Sequence, residues 1–199
     1  MFDAAADRIT DCRNHLFAAE NASDFPSFRS SIDAFINSAR SVTLSLQKEG
    51  APVAGFEEWY QDKQTEMRND QLLLFVNSAR IDYFHQAGER LRAIGAHLDY
   101  FSTKDAEPPP PNASGMVIGA QGPMWVVGKG TPQERLVPVK SGGTWTIAAT
   151  FDDPPRSHRG QEIPNPNPIN ICRLALTYFE ELVYEARSRF ANAGDQPHP

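Results

Sequence analysis

Arg80 and His85 are the two residues of this chain whose types and spacing suggest chemistry. Attack of a 2′-hydroxyl on its neighbouring phosphate needs a general base that titrates near neutrality. It also needs a cation to take up the charge that builds on phosphorus. Histidine meets the first need and arginine the second, with no metal involved. Asp82 lies between them as a possible supporting carboxylate, although a carboxylate beside a phosphate repels the substrate. Five positions along a straight α-helix turn two side chains about 140° apart in projection. The pair can therefore converge only across a break in the helix or between two copies of the chain. On spacing alone, an Arg and a His near a helix C-terminus are better explained by chance and by the helix dipole, which both cations relieve.

The elements that must position this pair are helices. Phe2, Ala5, Ile9, Cys12, Leu16 and Ala19 recur at helical spacing and predict an amphipathic helix from about Phe2 to Glu20. Phe28, Ile32, Phe35, Ile36, Ala39, Val42 and Leu46 form a second stripe, with Pro26 near its start and Gly50 expected just past its end. A third stripe runs from Phe56, Trp59, Tyr60, Lys63 and Met67 to Leu72, Phe75, Val76, Ala79 and Tyr83, with Asn69-Asp70 a candidate break and Gly88 the expected stop. The last stripe begins near Ile169 and includes Cys172, Ala175, Leu176, Phe179, Leu182, Val183, Ala186 and Phe190.

Between Glu89 and Glu162 the pattern changes. Arg90–Phe101 reads as a strand, Lys104–Pro111 as a stiff polar loop, and Met116–Gly119, Met124–Val127 and Arg135–Val139 as short strands. Thr144–Phe151 is rich in β-branched and aromatic residues and is the strongest strand. Asp152–Pro168, with five prolines, reads as loop. The expected fold is mainly α with a β-rich insertion, an α+β chain. Four apolar stripes share a bundle core, and a small antiparallel meander lies between the third and fourth helices. One domain, 1–199, is expected, with the bundle at 2–88 and 169–192 and the insertion at 89–162.

The chain has 199 residues, of which 40% are hydrophobic and 22% charged, which is globular composition. Its net charge of −6 argues against broad, nonspecific binding to a nucleic-acid backbone but leaves room for a local basic pocket. Arg40, Arg80, Arg90 and Arg92 are candidates to line one, with solvated helix surface as the plainer account. Cys12 and Cys172 fall on apolar stripes and read as reduced core thiols. The N-terminus lacks the basic and apolar regions of a signal peptide, and no stretch is apolar enough for a membrane span, so a cytoplasmic location is expected. No Gly-rich phosphate loop, metal-ligand cluster or nucleophile elbow is present, so neither cofactor nor metal is expected. Trp59, Trp125 and Trp145 could stack on bases, but packing is the simpler role. His158, between Arg156 and Arg159, lies in a mixed-charge segment that could touch a phosphate or simply be solvated.

An Arg, four intervening residues and a His late in one helix of a bundle resemble the HEPN superfamily, whose nucleases carry an Arg and a His at such spacing. The second-helix text Phe28–Thr43, followed by Trp59-Tyr60, resembles a bacterial HEPN-like group as well. The resemblance spans roughly residues 5–88 and the final helix. It implies a metal-independent RNA endonuclease of toxin or defence type, acting as a homodimer with a composite site. Arg80 would stabilise the phosphorane and His85 would serve as base or acid, with Asp82 in support. In that family a polar residue, often Asn, usually follows the Arg, whereas here Ile81 stands there and Asp82 comes next. The other reading is a non-catalytic HEPN-like module that dimerises or binds RNA or a protein partner.

Overall fold

A computed structural model describes residues 1–85, 91–101, 107–119, 122–139 and 143–191, with the backbone alone described at 79–85, 96–101, 119, 122 and 143–146. Five helices and seven strands are found among them. The first three helices are α1 (Asp3–Glu20), α2 (Phe25–Gly50) and α3 (Phe56–Arg68). They are followed by α4 (Gln71–His85) and, after the strands, α5 (Pro168–Phe190).

The starts of α1, α2 and α5 are capped by side chains, two of them local. Asp24 caps α2 by accepting from the Ser27 N–H at 2.7 Å, and Asn167 caps α5 by accepting from the Asn170 N–H at 2.8 Å. The cap of α1 comes from a distant residue: Glu49, near the end of α2, accepts from the Ala4 and Ala5 N–H groups at 3.1 and 3.0 Å. A carboxylate there also offsets the positive end of the helix dipole. The third stripe is broken where Asn69-Asp70 suggested, so it yields two helices. Gly50 departs from expectation. It is the buried last residue of α2, not a residue beyond it. A Cβ at Gly50 would overlap the Phe56 ring, which itself stacks on Tyr60 at 5.3 Å and Phe2 at 5.8 Å. Close approach, not turn geometry, is what requires glycine there.

All five helices contribute to one core, represented by Ile9, Phe35, Trp59, Leu72 and Phe179. Leu91, Phe151 and Ile163 from the β-rich part join the same cluster, so the start of β1 and the end of β5 are packed onto the helices. Each fully buried aliphatic or aromatic side chain contributes about 1.5–3 kcal/mol, which makes this shared core the main stabilising term. Cys12 and Cys172 are free and buried in it. Burial, followed by the neighbouring Asp11 carboxylate, pushes the Cys12 thiol up to about 12, and burial raises Cys172 as well.

The strands are β1 (Leu91–Phe101), β2 (Ala113–Gly119), β3 (Gly122–Val127), β4 (Arg135–Pro138) and β5 (Gly143–Phe151). β2-β3-β4 form an antiparallel meander, as the Gly- and Pro-punctuated segments predicted. β1 does not join it by sequence order. It pairs antiparallel with β5, from Leu91↔Phe151 to Phe101↔Gly143, and so encloses the meander. The expectation of loop throughout Asp152–Pro168 is also corrected. Ser157–His158 (β6) and Gln161–Glu162 (β7) form a tight hairpin. Its two turn residues, Arg159 and Gly160, have φ of 50° and 73°, the left-handed pair that a two-residue turn matched to strand twist requires.

Candidate functional site

The helix that carries Arg80 and His85 is fixed at its beginning by Asp70. This side chain is 6% exposed and is the one buried charged residue among the described residues. Its Oδ1 accepts from the Leu73 N–H at 3.0 Å, which caps α4. Its Oδ2 accepts from the Arg159 N–H at 2.6 Å and lies 3.0 Å from His158 Nδ1. Burial alone would raise the Asp70 carboxyl. The N–H donors of Arg159 and Leu73, together with His158, more than offset that and hold it below the usual carboxylate range. One carboxylate thus starts a helix and pins a hairpin 88 positions away in sequence. The Arg159 turn, with its positive φ, is over-determined by these contacts, which is how a non-glycine residue keeps such a conformation.

The hairpin is held from the α5 side too. Arg159 Nη1 donates to Glu181 at 2.6 Å, its Nε lies 3.9 Å from Glu66, and its guanidinium sits 5.0 Å above the Tyr178 ring. His158 meets Tyr178 edge-on at 6.0 Å. The Tyr178 hydroxyl is buried without a hydrogen-bond partner. The expected mixed-charge loop is therefore in part a docked hairpin, in which Arg159 is paired with Glu181.

The middle of α4 borders a different environment. A cavity of about 210 Å³, open to solvent, lies between α2, α3 and α4. Arg40 from α2 and Arg68 from α3 line it, with Asn77 from α4 and with Gln47 and Gln64. Leu44, Met67, Leu73, Leu74, Val76 and Phe179 supply its apolar wall. Among the described residues no Asp or Glu lines it. Arg40 Nη1 donates to Asn77 Oδ1 at 2.8 Å, while Arg40 Nε is buried with no partner. Tyr60 donates its hydroxyl proton to the Thr43 carbonyl at 3.1 Å, and burial raises its pKa despite that bond. The back of α3 is fixed by Glu185, which accepts from Trp59 Nε1 at 2.7 Å and pairs with Lys63 at 2.7 Å. Burial would raise the Glu185 carboxyl, but Lys63 and Trp59 hold it low.

The sequence-derived candidates are distributed unevenly over this structure. Arg80, Ile81, Asp82 and His85 all belong to α4, which runs unbroken through them, but their side chains lie outside the described residues. Of the four arginines proposed for a basic pocket, Arg40 lines the cavity. Arg92 pairs with Asp152 at 2.7 Å on the surface. Arg90 lies outside the described residues, as does Gly88, the expected end of α4. Trp59 is 3% exposed and packs in the core, edge-on to Phe190 at 5.6 Å. Arg68, Gln64 and Asn77 went unnoticed in the sequence because polar residues on a helix flank look solvated. Asp70 went unnoticed as a junction because its partners are remote. Among the described residues no three His, Cys, Asp or Glu side chains gather as a metal site would need, and no helix is long and apolar enough to cross a membrane.

Comparison with known proteins gives a similarity over the N-terminal helical part of the chain. Residues 2–89, less than half of the chain, match the family model described as bacteriophage lambda protein ea47. The matched span covers α1–α4 and stops before β1 begins at Leu91. Neither the curated proteins nor the solved structures contain a match. The similarity thus lies in the helices that build the cavity and carry Arg80 and His85.

Proposed function

We propose that this chain is an HEPN-like, metal-independent RNA endonuclease that acts as a homodimer, with Arg80 and His85 contributed by opposite copies. The observation that carries the dimer is the continuity of α4 from Gln71 to His85. An uninterrupted helix turns positions 80 and 85 about 140° apart, so a single copy cannot aim both residues at one phosphate. Two copies apposed along α4 can. In each composite site Arg80 of one copy stabilises the pentacoordinate phosphorus and His85 of the other moves the proton, with Asp82 in support. The HEPN-like bundle assignment belongs to the same reading, supported by the helical arrangement and by the Phe28–Thr43 text in α2. A cytoplasmic role of toxin or defence type belongs to the same proposal.

The test is RNA cleavage by the purified chain beside Arg80→Ala and His85→Ala. Each variant alone should lose about a hundredfold or more of the rate. Mixing the two inactive variants should restore activity, because the heterodimer contains one intact site. Equal cleavage by all three proteins would sink the nuclease reading. Loss in both variants without rescue on mixing would sink the shared site.

Ile81 favours a second reading. It replaces the polar residue that would orient the phosphate or the His, and this suits a non-catalytic HEPN-like module that dimerises or binds a partner. In that case RNA stays intact, and partners captured by the full chain are lost when the meander is removed.

A further inference from the structure

We propose that the cavity between α2, α3 and α4 is a binding site for a small organic oxyanion, a phosphate or carboxylate head on a single-ring apolar body. This inference does not depend on RNA cleavage.

The first argument is charge. The chain carries 25 acidic residues against 19 Lys and Arg. Its other arginines commonly sit against carboxylates, as Arg13 does with Glu180, Arg173 with Glu20 and Arg187 with Asp3. Arg40 departs from this pattern. Its described partner is the neutral Asn77 amide, its Nε is buried without an acceptor, and among the described residues no carboxylate lines the cavity. A buried Nε–H without an acceptor is costly, and an oxyanion in the cavity would supply one. Arg68 adds a second, exposed cation at the rim, and among the described residues it makes no ion pair.

The second argument is hydrogen bonding. Asn77 spends its carbonyl oxygen on Arg40, so its NH₂ group is left as a donor toward a ligand. Arg40 and Asn77 then present donors together, which suits an oxyanion and does not suit a cation.

The third argument is shape. Leu44 and Leu74 both line the cavity, yet they are 51% and 46% exposed. They offer apolar surface beside the cations, as an amphiphilic ligand would need. The volume of about 210 Å³ is below the range of roughly 300–1,000 Å³ that accommodates drug-sized molecules. A one-ring body is the better fit.

The test is calorimetric titration of the full chain with four probes. Phenyl phosphate and phenylacetate carry head and body together, inorganic phosphate carries the head alone, and benzyl alcohol carries the ring without charge. One of the two organic anions should bind about tenfold or more tightly than either half-probe, and the preferred head identifies a phosphate ester or a carboxylic acid as the source. Arg40→Gln should weaken that binding about tenfold or more, the loss expected for a charged hydrogen bond. Asn77→Asp keeps the shape of the site but supplies Arg40 with its own carboxylate, and should abolish binding in a folded protein. Absence of heat from both organic anions at millimolar concentration would overturn the proposal. So would unchanged affinity in a folded Asn77→Asp protein.

Discussion

Arg159 and Arg40 flank the same helix and meet opposite surroundings. Arg159 reaches α4 at its capped start, where Glu181, Glu66 and the Tyr178 ring neutralise it and Asp70 holds its backbone. Arg40 reaches α4 two turns further on, where one amide oxygen is the acceptor that it meets. Two guanidiniums on one scaffold thus differ in partner supply. A cation whose partners are all built in holds structure together. A cation left with a neutral partner and an open cavity is available for something that arrives from outside.

The contrast can be broken most forcefully at Asp70. Asp70→Ala removes the α4 cap and the tether of the β6–β7 hairpin at once, and should cost about 3 kcal/mol, read as a lower urea midpoint at unchanged slope. Its pH dependence has a definite sign. The folded carboxyl titrates below its unfolded value, so its stabilisation is fully present above that unfolded value, about 4. It is lost as the pH falls through the folded value. The gap between wild type and variant should therefore close on acidification below about pH 4. A gap that stays constant to lower pH would show that the carboxylate charge is not what matters.

Next in size is Tyr178. Its hydroxyl is buried with no partner, so Tyr178→Phe should stabilise the protein by about 1 kcal/mol in the same titration. Destabilisation would mean that the hydroxyl has a function in the junction that its geometry does not reveal.

The arginines themselves should give the smallest and most discriminating effects. Arg159 is 45% exposed along its side chain, so after solvent screening Arg159→Gln should cost about 0.5 kcal/mol. Arg40→Gln should leave the unfolding midpoint within about 0.3 kcal/mol of wild type, because the lost Asn77 bond is offset by relief of an unpaired buried donor. A larger loss at Arg40 than at Arg159 would reverse the comparison.

The helices were legible in the sequence because their cause is local. The stripes of Phe28 to Leu46 and Cys172 to Phe190 each specify a buried face, and Asn69-Asp70 marked a candidate break between α3 and α4. Pairings between distant segments were not legible. β1 and β5 meet across a long excursion, and β6 and β7 are two residues each amid prolines, too short for any periodicity to register. The site follows the same division. Arg40 could be nominated as a cation, but its lack of a counter-charge depends on what three helices bring near it. The Gly50 contact with Phe56 was hidden for the same reason, since a space filled by a ring from the next helix leaves no trace in local pattern.

The pairing of Leu91 with Phe151 has a consequence for how such a chain can change over time. The strands that leave and rejoin the helices do so side by side, so the segment between them hangs from a single doorway. Residues within that segment can be gained, lost or replaced while the doorway keeps its width and α5 returns to the same seat in the bundle. The similarity that ends at residue 89 stops at this threshold.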